Sequence, residues 1–236
     1  MPSNDTTPAA SACGAGRTRE DWNRRYSETE QLFGIEPNIH LARELSDLPP
    51  GRALDLACGE GRNSFWLAER GWQVDGIDLS DVAVERARAL AELRGLGGRM
   101  TFHAADLSEF APEPGRWDLV IMMYLHLPWD RLRPILYRAA EALAPGGTFF
   151  LAGHDLANFE KGHGGPKSPA VLYTAEDVAA ALDDQIEIGL ARQVERVVRL
   201  PDGERTALDC ILRGRRRPPA PVESLGGGLP RDPAGL

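Results

Sequence analysis

Paired cysteines, an excess of basic charge and long apolar runs are all missing from this chain, and each absence removes a class of protein. The three cysteines, Cys13, Cys58 and Cys210, are widely spaced with no CxxC pair. That spacing supports neither a disulfide framework nor a zinc knuckle and fits a reducing compartment. The longest apolar run, Leu119 to Leu125, is too short to span a bilayer, and the N-terminus carries neither a basic start nor an apolar signal core. A soluble cytoplasmic protein with no membrane partner is therefore expected. Lys and Arg total 27 against 35 Asp and Glu, a net charge of -8, so nucleic acid is not an expected partner. One patch reverses the sign, Arg213 to Pro219. It stands where ordered patterning gives way to prolines and reads as part of a solvated tail.

The 236 residues suffice for one large α/β domain with loose ends. Residues 1–17 and 215–236 are rich in small residues and proline without periodicity, and are expected to be disordered. Residues 18–214 form the expected domain. There, strand-like and helix-like stretches alternate from "RALDLA" to "GTFFLAG", a βαβ series that predicts a parallel sheet with helices on both faces. In "DRLRPILYRAAEAL", residues Leu132, Ile135, Leu136, Ala139 and Leu143 make one apolar stripe, with Asp130 as cap, Pro134 tolerable in a first turn and "APGG" as the end. "TAED" predicts a capping box from Thr174 to Asp177. Two strands joined by "PDGE" then close the sheet as an antiparallel hairpin.

The chemistry is signalled by "LDLACGEGRNSFWLAERGWQVDGIDLS", Leu54 to Ser80. Gly59, Gly61 and the helix opening at Arg62 present bare backbone N–H groups beside the first strand's carboxyl end. A dinucleotide fingerprint requires a third glycine where Ser64 stands. The acids point elsewhere. Asp55, within the first strand, suits the ammonium of an amino-acid ligand; Asp78, closing the second, suits two ribose hydroxyls. Asp106, closing the third, suits an adenine amino group, with Leu79 and Leu107 offering apolar faces to the ring. Amino acid, ribose and adenine in that order describe S-adenosylmethionine. Capping of turns and helices is the plainer role for the same aspartates.

These residues, with "HAADL", "WDLVIMMYLHL" and "LAPGGTFFLAG", resemble a class I S-adenosylmethionine-dependent methyltransferase over residues 50–155. Within that superfamily the glycine turn is most similar to tellurite-resistance methyltransferases, and "DWNRRYSETEQLFGIEPN" resembles the N-terminal segment of thiopurine-type enzymes. The resemblance implies a seven-stranded Rossmann-like sheet, a cofactor cover over residues 18–48 bearing Trp22 and Tyr26, Met122 among the cofactor contacts, and a small acceptor with a soft sulfur, selenium or tellurium atom. Trp22 and Tyr26, four apart, are equally suited to core packing.

Acceptor-side candidates stand in the loops after the fourth and fifth strands. Tyr124 and His126 follow the fourth; His154, Asp155 and His163 belong to the fifth strand's end and to a polar, glycine-rich stretch, 156–173, expected to act as a lid. His154, with Asp155 to orient it, is the candidate base if the acceptor must lose a proton, since imidazole titrates near neutrality. His126, in an apolar context, is a second candidate or a structural residue. Arg62, Tyr124 and His163 are candidate acceptor contacts. The spacing of His154, Asp155 and His163 fits no familiar metal pattern, so no metal is expected. An oxygen or nitrogen acceptor remains open, as do an NAD-linked oxidoreductase and a non-catalytic cofactor-binding module.

Overall fold

The computed structural model describes residues 17–218. Most of the two expected loose ends therefore lies outside the described residues. The elements run α1 (Arg19–Glu28), α2 (Ile39–Leu45), β1 (Arg52–Leu56), α3 (Arg62–Glu69), β2 (Gln73–Asp78), α4 (Asp81–Leu93), β3 (Met100–Ala104), β4 (Trp117–Met123), α5 (Trp129–Ala142), β5 (Leu143–His154), α6 (Asn158–Lys161), α7 (Ala175–Leu182), β6 (Ile186–Leu200) and β7 (Gly203–Arg216), with a 3-10 turn at Pro169–Val171. The seven strands form one sheet in the order β3-β2-β1-β4-β5-β7-β6. β1 to β5 are parallel, and β7 is antiparallel to both β5 and β6. This is the expected α/β sheet with its C-terminal hairpin.

Strand side chains alternate between two apolar layers. Leu54, Leu56, Val120, Met122, Phe149 and Leu151 pack on the side of α5 and α7. Ala53, Ile121, Phe150, Ala152 and Ile211 pack on the other, with Leu41 of α2 and Phe65 and Trp66 of α3. Asp55 falls between Leu54 and Leu56, so its carboxylate enters the α2/α3 layer.

The anticipated capping box forms at α7 between Thr174 and Asp177; Thr18 and Asp21 close another at α1, and Ser80 caps α4, neither of which the sequence reading singled out. α5 departs from expectation. Pro128 is its N-cap, Asp130 lies in the first turn without capping it, and Pro134 sits inside the helix. Leu143 and "APGG" already belong to β5, because Leu143 pairs with Trp117 across a bulge and tertiary pairing overrides the helical stripe. The basic patch is no tail. β7 runs to Arg216, Arg213 donates to the carbonyl of Glu44 (2.7 Å), and Arg216 and Arg217 bond Gln185 and the Asp183 carbonyl. Strand pairing on both sides of β7 fixes the backbone, and carbonyl acceptors nearby hold the guanidiniums.

The hairpin outruns the sheet. β7 pairs β5 only as far as Asp209 opposite His154, while its pairing with β6 continues to Gly203 opposite Leu200. The two-stranded extension thus rises past the carboxyl edge. The 156–173 segment leans on it, with His163 N–H donating to Thr206 O (2.8 Å) and Leu208 N–H to Asn158 Oδ1 (2.7 Å). That stretch, expected without periodic structure, contains α6 and the 3-10 turn.

Candidate active site

The turn after β1 is built on left-handed backbone. Gly59 has φ +57°, and a Cβ there would lie 2.7 Å from the Tyr26 hydroxyl, so only glycine lets α1 close over the turn. Gly61, the α3 N-cap, precedes Arg62. Asp78 ties this turn to β2: its Oδ2 accepts from Gly59 N–H (2.8 Å) and its Oδ1 from Ser80 N–H (2.9 Å). Burial pushes the Asp78 carboxyl up against those hydrogen bonds.

Asp55 is fully buried, and Ser64 Oγ donates to its Oδ2 at 2.6 Å. The residue that replaces a dinucleotide fold's third glycine therefore supports the first acid. Asp55 Oδ1 has no hydrogen-bond partner. Burial drives this carboxyl up to about 7, with the Ser64 bond opposing. Asp106 behaves differently: hydrogen bonds from Ser108 hold its carboxyl below the usual range. Leu107 is buried beside it and Leu79 is half-buried.

α1 lies over these acids. Asn23 accepts from Ser80 Oγ (2.7 Å), and Arg19 pairs with Asp81 (2.9 Å). Tyr26 is buried beneath Trp22 and Phe33, with centroids at 6.0 and 6.3 Å. Glu60 clasps the next turn, accepting from Leu32 N–H and from Arg86, which also reaches the carbonyl of Thr29. Met122 is fully buried in the α5 layer, so its side chain belongs to the core.

A second polar cluster occupies the edge formed by β4, β5 and β7, and its centre is Asp209. No signal singled this residue out, beyond its being an acid within the apolar run "ALDCIL". Its Oδ2 accepts from Arg196 Nε (2.6 Å), Tyr124 Oη (2.7 Å) and His40 Nε2 (3.0 Å); its Oδ1 faces Arg196 Nη2 (3.2 Å) and His154 Nδ1 (3.3 Å). Burial opposes ionisation here, but the nearby His154 ring, the hydrogen bonds from His40 and Arg196, and the guanidinium charge hold the carboxyl far below its ordinary value. An ionised carboxylate only accepts, so His40 presents Nε2–H. Tyr124 holds a left-handed φ of +56°, the kind of backbone strain that collects at functional sites.

His154 and His126 stack at 5.5 Å, and Tyr124 meets His154 edge-on at 5.0 Å. His126 has both nitrogens engaged: Nδ1 lies 3.3 Å from Val171 O, and Nε2 accepts from His154 N–H at 3.3 Å. Burial, and then the neighbouring His154, push it down to about 3, so it is neutral and fixed in place. His154 Nδ1 is buried near Asp209 Oδ1 without the alignment of a formed hydrogen bond; such bonds often tighten only with substrate present. Asp155, expected to orient His154, is turned away and accepts from Ala157 N–H (2.9 Å) and Gln193 Nε2 (2.8 Å). Successive strand residues face opposite sides, so Asp209, paired with His154 across the sheet, takes that place. His163 is half-buried in the segment beyond; Gly165 at φ +78° lets the same segment press on the His154 ring, where a Cβ would stand 2.8 Å from Cδ2.

Residues 53–147 match the family model of the methyltransferase domain. The chain is 36% identical over 110 residues to ribosomal RNA small subunit methyltransferase C of Alcanivorax borkumensis, covering 43% of this chain and 32% of that protein. It is 39% identical over 139 residues to a ubiquinone biosynthesis O-methyltransferase of Bordetella pertussis, covering 56% of this chain and 55% of the relative. The chain thus spans from about a third to just over half of these curated relatives. The N-methyltransferase NodS of Bradyrhizobium japonicum, in complex with S-adenosylhomocysteine, superposes with TM-score 0.65 at 17% identity over 85% of this chain and 99% of NodS. The chain shares the fold of that structure. Its residues fit the expected cofactor: the orphaned oxygen of Asp55 suits an ammonium group, and each Asp78 oxygen, with one N–H bound, keeps a lone pair for a ribose hydroxyl. Among the described residues, no cluster of three or more His, Cys, Asp or Glu is placed to hold a metal ion, and no helix is long and apolar enough to cross a membrane.

Proposed function

We propose that this chain methylates a hydroxyl group of a small acceptor, with S-adenosylmethionine as cofactor and His154 as base. The observation that carries this reading is the buried pair of Asp209 and His154, 3.3 Å apart at the carboxyl edge of the sheet. When bound, the cofactor supplies a methyl group on a sulfonium centre that departs as a neutral thioether. In-line transfer of that kind leaves the protein mainly with positioning. Asp55 and Asp78 bind and orient, Asp106, Leu79 and Leu107 border the adenine position, and α1 with Tyr26 excludes water. Trp22 stacks over Tyr26 on the outer side.

Asp209 holds Nδ1–H of His154 toward itself and leaves Nε2 to take the acceptor's proton. The positive charge that His154 gains is then balanced by a carboxylate already fixed by Arg196, Tyr124 and His40. His126 and Asp155 are positioning residues: one stacks on the base and accepts its backbone N–H, the other anchors the 156–173 segment as a lid. His163 and Tyr124 lie on the acceptor side. The resemblance to tellurite-resistance and thiopurine-type enzymes favoured a soft chalcogen, but such an acceptor is more acidic than an aliphatic alcohol and intrinsically more nucleophilic, so it depends less on a buried Asp–His pair. A relative named as an O-methyltransferase leans the same way.

The test is turnover of labelled S-adenosylmethionine with a panel of phenols, thiols and amines by the native protein and by His154→Ala. Phenol methylation that vanishes in the variant while S-adenosylhomocysteine still binds supports the reading. Methylation of thiols alone, indifferent to the substitution, overturns it.

A further inference from the structure

Several arginines in and around the site have carboxylate partners, and among the described residues Arg62 has none. Arg196 pairs with Asp209, Arg86 with Glu60 and Arg19 with Asp81. Arg62, half-buried at the start of α3, has no carboxylate within salt-bridge distance among the described residues; one N–H donates to the Phe33 carbonyl (2.8 Å). Burial lowers its pKa, Arg196 adds to that effect, and Tyr124, Asp55 and Tyr26 offset it in part. The carboxylate within its electrostatic reach is Asp55, itself pushed up to about 7 and so a weak counter-ion. A half-buried guanidinium with four free N–H groups and no anion is costly unless something completes it.

The surroundings of Arg62 bear on what could pair with it. Arg62 lines an open groove of about 340 Å³, within the range of small-molecule sites, together with Trp66, Arg70, Arg94 and two acids, Glu36 and Glu69, of which Glu69 pairs with Arg94. Arg70 stacks on Trp66 at 3.9 Å, adding a second cation without a carboxylate partner. The next residue, Asn63, accepts from Asn38 N–H (2.9 Å) at the start of α2, and His40 of that helix bonds Asp209, which faces His154. The start of α3 therefore adjoins both the groove and the Asp209 cluster.

We infer that Arg62 binds an acidic group of the acceptor, so that the substrate class is a small hydroxylated carboxylic acid that presents its hydroxyl to His154 and its carboxylate to Arg62. This deepens the proposed methyl transfer and rests on it. A planar guanidinium suits a carboxylate better than any other side chain, because two parallel N–H groups match its two oxygens. The one competing source of the same chemistry is the cofactor's own carboxylate.

The experiment titrates the S-adenosylhomocysteine-loaded protein calorimetrically with 3,4-dihydroxybenzoate and with its neutral methyl ester, for the native chain, Arg62→Gln and Arg62→Lys. The native protein should bind the acid at least about tenfold more tightly than the ester. Arg62→Gln should lose that preference with the ester unaffected, and Arg62→Lys should keep part of it. S-adenosylhomocysteine itself should bind all three proteins alike. No preference for the acid in the native protein overturns the inference, as does a loss confined to S-adenosylhomocysteine affinity in Arg62→Gln, which would assign Arg62 to the cofactor. A native chain that fails to bind S-adenosylhomocysteine at all would mark failure of the underlying methyltransferase reading.

Discussion

Asp209 and His154 face one another across β7 and β5, with Oδ1 3.3 Å from Nδ1, because antiparallel register pairs them directly. If this pair removes the acceptor's proton, His154→Ala should lower turnover by about a hundredfold or more and leave S-adenosylhomocysteine affinity intact. Asp209→Asn should lower turnover and stability together. It leaves Arg196 without its counter-ion, a loss of about 3 kcal/mol, at the low end for a buried pair since Arg196 keeps some contact with water. The sign with pH follows from the depressed carboxyl: the stabilisation is present above the unfolded value and is lost as pH falls through the folded one. Native and variant melting curves should therefore converge only in strong acid.

Asp55 should produce the opposite slope. Its carboxyl is raised to about 7, so the folded state binds a proton that the unfolded chain has released. Its contribution is full below the unfolded value near 3.8 and is lost as pH rises through about 7. Melting across that interval should show stability falling with pH, and Asp55→Asn should flatten the fall. Cofactor binding at pH 6 should release a proton as the ammonium selects the ionised carboxylate. Calorimetry in two buffers of different ionisation enthalpy measures that release, and an identical heat in both would refute it.

Asp78→Ala should weaken S-adenosylhomocysteine binding by about ten- to a hundredfold, the loss of charge-assisted hydrogen bonds worth roughly 1.5–3 kcal/mol. The same change frees the Gly59 and Ser80 N–H groups, so the melting temperature should also drop slightly. Affinity equal to that of the native chain would remove Asp78 from the cofactor contacts.

Gly165→Ala tests the pressure of the 156–173 segment on the base. The new Cβ would stand 2.8 Å from His154 Cδ2 on a residue held at φ +78°, so the segment must shift. Turnover should fall while S-adenosylhomocysteine affinity stays the same. Ala at Gly164, which shares that φ with nothing within 4 Å, is the control for backbone strain alone.

The elements around the proposed cofactor site were legible because their determinants are local in sequence. Asp55 and Asp78 lie in strands whose apolar runs are visible and Asp106 follows a third, the glycines come at a fixed distance, and the capping box of α7 spans only four residues. α5 marks the limit of such reading. Its apolar stripe continues into Leu143, and only pairing with Trp117 turns that residue into strand. The Asp209 cluster was legible only in part, because its centre is assembled across the whole chain. His40 reaches Asp209 over 169 positions and Tyr124 over 85, and neither distance leaves a period or spacing in the sequence. His154 was visible as a histidine at a strand end, but its neighbour in sequence, Asp155, pointed to the wrong partner. Alternation along β5 sends Asp155 to Gln193, while the register between β5 and β7, fixed by long-range packing of the hairpin, delivers Asp209.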